Sequence, residues 1–122
     1  MTRPNMFFAP VDLTDGFVTR PDNSGIHEKI LSNSLDAKAK TGARTRLLRL
    51  DPGSTTPAAH DHPYWEELFV LEGSMEIHDG TDGWKTVSAP AFAARKPGVM
   101  HGPVRSPAGR LMIEFSWFGD QE

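Results

Sequence analysis

The sequence predicts an all-β fold, a single antiparallel β barrel or jelly roll. Clusters of Gly, Pro, Asp, Asn and Ser interrupt the chain, and several stand about 8–12 residues apart, as in sandwiches and barrels. Between these clusters, apolar and polar residues often alternate with a period of two, which is typical of strands. The one stretch of helix formers without Pro or Gly, Leu35 to Lys40, is too short to form a stable helix alone.

Short strand-like segments lie between the turn clusters. In the last of them, Leu111, Ile113, Phe115 and Trp117 share one parity while the other parity is largely polar, so we expect one dominant apolar face. The predicted strands are Ile26–Ser32, Arg44–Leu50, Ala58–His62, Glu67–Leu71, Met75–His78, Trp84–Val87, Ala91–Arg95, His101–Arg105 and Leu111–Trp117.

The chain of 122 residues has the length of one domain, residues 1–122. We expect the motif-bearing core of the barrel within residues 43–118, preceded by an N-terminal strand arm at residues 1–25. In this arm, the apolar stretch Met6–Val11 can pair with its own barrel or with the sheet of a neighbouring copy. We therefore expect a homodimer.

Composition and charge exclude several function classes. Lys and Arg (13) against Asp and Glu (16) give a net charge of −3 with no basic stripe, which argues against nucleic acid as a partner. No apolar run approaches the roughly 18 residues of a membrane-spanning helix. Cysteine is absent, so disulfides, thiolate metal sites and a cysteine nucleophile are excluded. The N-terminus has no signal-peptide pattern, which favours the cytoplasm.

Known catalytic motifs outside metal chemistry are missing too. The chain has no Gly-x-Ser-x-Gly sequence, no phosphate-binding glycine loop and no dinucleotide fingerprint. Serine nucleophiles and phosphoryl transfer are therefore unsupported.

Histidines supply the main functional signal. His60 and His62 flank one residue, so on a strand their side chains project from the same face and can give two nitrogen ligands to one metal ion. The acidic pair Glu66 and Glu67 follows closely. Of the other histidines, His27 and His78 are expected at the surface, the latter beside a hairpin turn.

This region resembles the first motif of the cupin superfamily, written G-x5-H-x-H-x3,4-E-x6-G. The chain reads Gly53-x6-His60-x-His62-x3-Glu66-x6-Gly73, one residue longer in the first gap only. The segment Pro97-Gly98-Val99-Met100-His101 resembles the second motif, P-x-G-x2-H-x3-N, in its glycine and histidine. In this motif Pro97 stands one place late, Arg105 replaces the usual asparagine and Pro90 stands at the leading glycine.

The resemblance implies a small β barrel that binds one divalent metal ion. His60, His62 and Glu66 from the first motif and His101 from the second would be its ligands. Three imidazoles and one carboxylate suit Fe, Mn, Ni, Cu or Zn and leave coordination positions open for water or substrate.

Two alternatives to this ligand set stay open. Glu67 satisfies the longer permitted spacing from His62, but neighbouring strand residues point to opposite faces, so only one glutamate can readily reach the metal. We favour Glu66 because it also fits the spacing to Gly73. The family also contains sites in which three histidines suffice without a carboxylate.

Other side chains are candidates for the walls of a substrate pocket. Tyr64 and Trp65 lie between the histidine pair and the glutamate, and they either stack over a ligand or plug the barrel end. Arg105 replaces a motif residue near His101 and can grip a substrate carboxylate. The large apolar residues of the strand-like runs are expected in the core; they are Phe92, Met100, Phe115 and Trp117.

The resemblance implies a small metal-dependent enzyme that acts on a small molecule. The first expectation is a non-haem metal dioxygenase that cleaves a diketone-like or phenolic substrate. The next is a metal-assisted isomerase or decarboxylase. The alternative is a non-catalytic metal-containing cupin that binds or senses a small molecule, and a barrel with vestigial histidines is the third possibility.

Overall fold

The fold is all-β, as the sequence predicts. The structure, a computed structural model, describes residues 5–56, 61–78 and 83–119, and within these ranges it has nine strands and no helix. The described residues accordingly form no helix long and apolar enough to cross a membrane. The strands are β1 (Val18–Arg20), β2 (Asn23–Asn33), β3 (Ala43–Leu50), β4 (Ser54–Thr55), β5 (Trp65–His78), β6 (Trp84–Ser88), β7 (Ala91–Arg95), β8 (Val104–Ser106) and β9 (Arg110–Trp117).

Strand β5 organises the sheet. The antiparallel strands follow the order β1-β2-β3-β9-β5-β8-β4, and both β6 and β7 also pair with β5. The first half of β5 pairs with β7 and β9, and its second half pairs with β6 and β8. The register with β9 shifts between Val70 and Glu72, which is the kind of bulge that bends a strand. One long bent strand therefore joins the two halves of the barrel.

Several predicted boundaries differ from the observed ones. The two predicted strands Glu67–Leu71 and Met75–His78 are one strand, because the chain passes through Gly73 with φ 84° at the bulge instead of turning back. The predicted strand Ala58–His62 lies partly outside the described residues, and His62 itself is not in a strand. The predicted strand His101–Arg105 is shorter, since β8 begins at Val104.

The N-terminal arm is not a strand over Met6–Val11, where every residue is exposed. Just beyond this stretch, two backbone carbonyls accept hydrogen bonds from side chains of the sheet. The Asp12 carbonyl accepts a hydrogen bond from Lys29 Nζ at 2.5 Å, and the Leu13 carbonyl accepts one from Arg49. The described arm therefore reaches the sheet through side chains of β2 and β3.

The inner faces of β3 and β9 carry charge. Arg110, Met112 and Glu114 of β9 line an internal cavity, together with Arg46 and two leucines of β3. The apolar parity of β9 therefore faces away from the cavity, with Leu111 buried and Phe115 exposed, which the alternation alone does not reveal.

Three large side chains expected in the core are instead substantially exposed. Their exposed fractions are 60% for Phe92, 60% for Met100 and 37% for Phe115. The reason for Phe115 is that alternate positions of β9 point into a cavity that holds ion pairs. Trp117 is half-buried and stacks on Trp65, with ring centroids 6.2 Å apart.

The hydrophobic core surrounds the cavity. One cluster of buried apolar side chains packs inside the barrel, and each member of the cluster also lines the cavity. They are Ile26, Leu48, Leu50, Leu68, Val70 and Met112. The residues of this core cluster thus also form the apolar part of the cavity wall.

Two glycines of the first motif give a matched pair for measuring backbone constraint. Gly73 and Gly53 have nearly equal positive φ values, 84° and 86°. A Cβ added at Gly73 would lie 2.2 Å from the Gly109 carbonyl oxygen, whereas a Cβ at Gly53 would meet nothing within 4 Å. Alanine would therefore suffer the same backbone strain from a positive φ at both positions, but its Cβ would clash with neighbouring atoms only at Gly73.

We expect Gly73→Ala to lower the free energy of unfolding by about 3 kcal/mol or more, because backbone on β9 must move. Gly53→Ala is expected to lose only the left-handed strain, about 1–2 kcal/mol. Urea denaturation of both variants measures the difference. Equal losses in the two variants would contradict the close approach of β5 to Gly109.

Candidate metal centre

Three of the four predicted ligands lie together. One ligand atom from each of His62, Glu66 and His101 lies within 4.8 Å of the other two. Donor atoms about 2.1 Å from one ion are at most about 4.2 Å apart, so small side-chain movements bring this set around a metal. The fourth predicted ligand, His60, lies outside the described residues.

Strand alternation selects between the two glutamates. Glu66 is the second residue of β5, faces the barrel interior and is only 3% exposed. Glu67 points to the opposite face, in register with the outward-facing Phe115. The carboxylate beside the two histidines is therefore that of Glu66.

A backbone hydrogen bond joins the two segments that carry the histidines. His62 lies three residues before β5, and its carbonyl accepts a bond of 2.9 Å from the Gly98 amide. His101 follows Gly98 closely and stands ahead of β8. The imidazole rings of His62 and His101 lie 5.0 Å apart, and Tyr64 stacks on His62 at the same distance. The hydrogen bond thus holds the two histidine-bearing segments next to each other.

Glu66 contacts charged groups on several sides. Its Oε1 accepts a hydrogen bond from Arg95 Nη1 at 2.7 Å, and its Oε2 lies 3.8 Å from His62 Nε2. Burial, and then the neighbouring Glu114 carboxylate, raise the pKa of Glu66. A divalent cation would offset both effects, so the donor set of two imidazoles and one buried carboxylate suits such an ion.

Beneath Glu66 lies a buried ion-pair network centred on Glu114. Arg46 donates to this carboxylate through Nε at 2.8 Å and Nη2 at 3.2 Å, and Arg44 donates at 3.1 Å. Arg46 also donates to Glu28 at 2.6 Å. Burial alone would raise the pKa of Glu114, but Arg46 and then Arg44 outweigh it, so the pKa is lowered. Glu114 is therefore held as a carboxylate.

The cluster opens onto a cavity of about 300 Å³. His62, Glu66 and His101 line it together with the apolar core. Its volume is at the lower end of the range for small-molecule sites. A metal held by the cluster would therefore face a space that admits one small molecule.

The three predicted pocket residues have other contacts. Tyr64 stacks on His62 and meets Phe118 edge to face. Trp65 stacks on Trp117, on the other face of β5 from Glu66. Arg105 donates to Glu76 at 2.5 Å and lies over the Trp84 ring. Tyr64, Trp65 and Arg105 are not among the described residues that line the cavity.

Comparison with known families agrees with this architecture. The family model described as the ChrR cupin-like domain matches residues 17–116. The chain belongs to this family of cupins. No curated protein matches the sequence significantly.

Solved structures share the cupin fold at low sequence identity. An RmlC-like cupin from Shewanella frigidimarina is 17% identical, with a TM-score of 0.70, over 99% of this chain and 97% of that one. An acetylacetone dioxygenase from Acinetobacter johnsonii is 24% identical, with a TM-score of 0.65, over 95% and 77%.

A third match comes from the complex of Rhodobacter sphaeroides SigE with the anti-sigma ChrR. Its matching chain is 23% identical, with a TM-score of 0.63, over 86% of this chain and 51% of that one. At these identities the three structures establish the fold alone.

The ion pairs behind the candidate metal ligands are not predicted by the sequence, which offers Arg44, Arg46 and Arg95 only as candidates for binding a substrate carboxylate. Arg95 ends β7, and Arg46 and Glu114 lie on facing positions of β3 and β9. The signal in the sequence for Glu114 is the largely polar parity of β9, whereas the parity of Arg46 in β3 also carries Leu48 and Leu50. The parity of β9 indicates that one face of the strand is polar, but it does not show that this face points into the barrel.

Proposed function

We propose that this cupin is a metal-dependent enzyme that acts on a small diketone-like or phenolic molecule with O2 as the co-substrate. The observation that supports the proposal is the cluster of His62, Glu66 and His101 at the wall of a cavity sized for one small ligand. His60 completes the proposed set of ligands. The dioxygenase among the cupins of similar fold suggests the first substrate to test.

The residues around the cluster have definite tasks in this proposal. A bound divalent metal would supply Lewis acidity and, as iron, a redox partner for O2. Arg95 holds Glu66 by its Oε1 atom and leaves Oε2 on the side of His62. The apolar wall, which includes Leu68 and Val70, excludes water from the substrate.

Oxygen uptake tests the proposal. Cleavage of a diketone by a dioxygenase breaks one carbon–carbon bond and places both atoms of O2 in the products, so one O2 is consumed per diketone. Protein loaded with Fe(II), and checked for metal by elemental analysis, is mixed with acetylacetone in an oxygen electrode. We expect equimolar consumption of O2 and diketone. Loaded protein that consumes no O2 with diketones or phenols would overturn the proposal.

Isomerase or decarboxylase activity is the other enzymatic form of the proposal. It needs a Lewis acid without a change of oxidation state. Protein loaded with Mn(II), Ni(II) or Zn(II) and incubated with small hydroxy- and keto-acids under nitrogen tests it. Product that forms without O2 would support this form over the dioxygenase.

A second function is favoured by the family itself. The matching family is the ChrR cupin-like domain, and one structural match comes from the complex of SigE with the anti-sigma ChrR. In this alternative the cavity binds a small molecule as a signal and does not change it. A ligand that raises the melting temperature of the metal-loaded protein but is recovered unchanged would support the sensor.

We also propose that the protein is a homodimer. Phe69, Phe92 and Phe115 lie on the outer face of three adjacent strands and are all exposed. A second copy would cover this apolar face. Light scattering is expected to give twice the chain mass, and Phe69→Lys is expected to give the single mass. A monomeric mass for the unaltered protein would refute the homodimer.

A further inference from the structure

Arg110 is a buried cation in the wall of the cavity. It is the first residue of β9 and is 6% exposed. Its Nη1 atom donates to Ser106 Oγ, while its Nε atom has no hydrogen-bond partner among the described residues. A guanidinium has five N–H donors, so Ser106 satisfies a small part of its capacity.

Arg110 differs from the other guanidinium groups that line the cavity. Arg20 pairs with Asp22, Arg46 with Glu114 and Arg95 with Glu66. For Arg110, the described part of the chain supplies no carboxylate partner, and the one charge that shifts its pKa is the cation Arg95. Burial, followed by Arg95, lowers the pKa of Arg110 to about 10, so the group is still protonated at neutral pH.

A buried cation without an anion is unfavourable, because it has lost water without gaining a counter-charge. The cavity beside Arg110 is the space in which a ligand can supply that charge. A metal ion at Glu66 adds further positive charge to the same cavity. The cavity therefore suits an anionic ligand.

The position of Arg110 in the sheet sets the shape of this ligand. Glu66 pairs in register with Ser116, near the end of β9, whereas Arg110 pairs with Gly73 at the start of β9. The candidate metal ligands and Arg110 thus lie towards opposite ends of the strand. A ligand that reaches both has its metal-binding group at one end and its anionic group at the other.

We propose that Arg110 binds a carboxylate of the cavity's ligand, so that the substrate is an elongated keto acid with its carbonyl group towards His62, Glu66 and His101. The position of the carbonyl group rests on the proposed metal site, whereas the carboxylate contact rests on Arg110 alone. A planar guanidinium pairs with a carboxylate through parallel hydrogen bonds.

Two matched probes test the proposal. The compound 4,6-dioxoheptanoate carries a diketone and a carboxylate, and heptane-2,4-dione has a methyl group in place of that carboxylate. Calorimetry with the Zn(II)-loaded protein is expected to show about 10- to 100-fold tighter binding of the acid, as for one charged hydrogen-bonded pair. In Arg110→Met the two probes are expected to bind within about twofold of each other, with zinc content unchanged.

Arg49→Met is the matched control, because Arg49 is an arginine of β3 whose contacts are the Leu13 carbonyl and the Phe17 ring, outside the cavity. It is expected to keep the preference for the acid. Equal binding of both probes to the unaltered protein, or an undiminished preference in Arg110→Met, would overturn the proposal.

The melting temperature of the metal-free protein tests the carboxylate contact of Arg110 independently of the proposed metal site. In the unaltered protein, 4,6-dioxoheptanoate is expected to raise the melting temperature more than heptane-2,4-dione does, even where zinc fails to load. Arg110→Met is expected to raise the melting temperature without ligand, because a buried unpaired charge is removed. Ser106 Oγ still donates to the Ser74 carbonyl in that variant. A lower melting temperature in both Arg110→Met and Arg110→Gln, with no acid-specific shift in the unaltered protein, would contradict the proposal.

Discussion

Replacing His101 by alanine is expected to weaken the binding of Fe(II) or Zn(II) by at least about 100-fold. Removing a residue that only hydrogen-bonds to a metal ligand already reduces metal affinity about 10- to 100-fold, and His101 is itself a candidate ligand. His101 contributes one of three donor groups within 4.8 Å of each other, and the remaining pair, His62 and Glu66, comes from one segment. Competition with a chromogenic chelator measures the affinity, and elemental analysis measures the metal content.

His78→Ala is the control for this experiment. His78 ends β5, is half-buried, packs against Trp84 and is outside the cluster of candidate ligands. It is expected to keep about one metal ion per chain, as is the unaltered protein. Full metal content in both His62→Ala and His101→Ala would contradict the ligand assignment.

Replacing Glu114 by alanine is expected to lower the free energy of unfolding by about 3–5 kcal/mol, because removal of one partner leaves buried charge uncompensated. Arg46 would lose both of its hydrogen bonds to Glu114, and Arg44 would lose its own. The nearest remaining carboxylate for Arg46 is Glu28. Urea denaturation followed by tryptophan fluorescence measures the loss.

Glu28→Ala is the matched comparison for Glu114→Ala. Glu28 accepts from the same Arg46 side chain, but it is about a quarter exposed and makes one of the three ion-pair bonds of that residue. We expect Glu28→Ala to lose about 1 kcal/mol, as for a partly solvated pair. A loss of similar size in the two variants would show that the network does not depend on burial of Glu114.

The sequence is enough to predict the fold class and the segments that carry the candidate site. Turn clusters and period-two alternation indicate the all-β architecture, and motif spacing selects His60, His62, Glu66 and His101, of which the last three are described in the structure. The choice of Glu66 over Glu67 follows from the alternation of strand residues, and the structure places Glu66 beside the two histidines. The spacing along β5 predicts which glutamate faces the interior because the strand is extended on both sides of the bulge.

The interior of the barrel could not be predicted in the same way. Alternation in β9 separates Arg110, Met112 and Glu114 from the apolar residues between them, but it does not state which set faces inwards. The usual rule places apolar side chains inside. A barrel whose cavity has charged groups among apolar residues departs from this rule on part of its wall, and the pairing of Glu114 with Arg46 and Arg44 compensates the buried charge there.

The presence of the core cluster in the cavity wall has a consequence for how this protein can evolve. Leu48, Leu68 and Met112 stabilise the fold and also contact whatever occupies the cavity. A substitution that enlarges the cavity for a bulkier ligand therefore removes core packing, at about 2–5 kcal/mol for a leucine reduced to alanine. A small domain of marginal stability tolerates few such changes. New ligand preferences are therefore expected to arise together with stabilising substitutions elsewhere, such as on the outer face of the sheet.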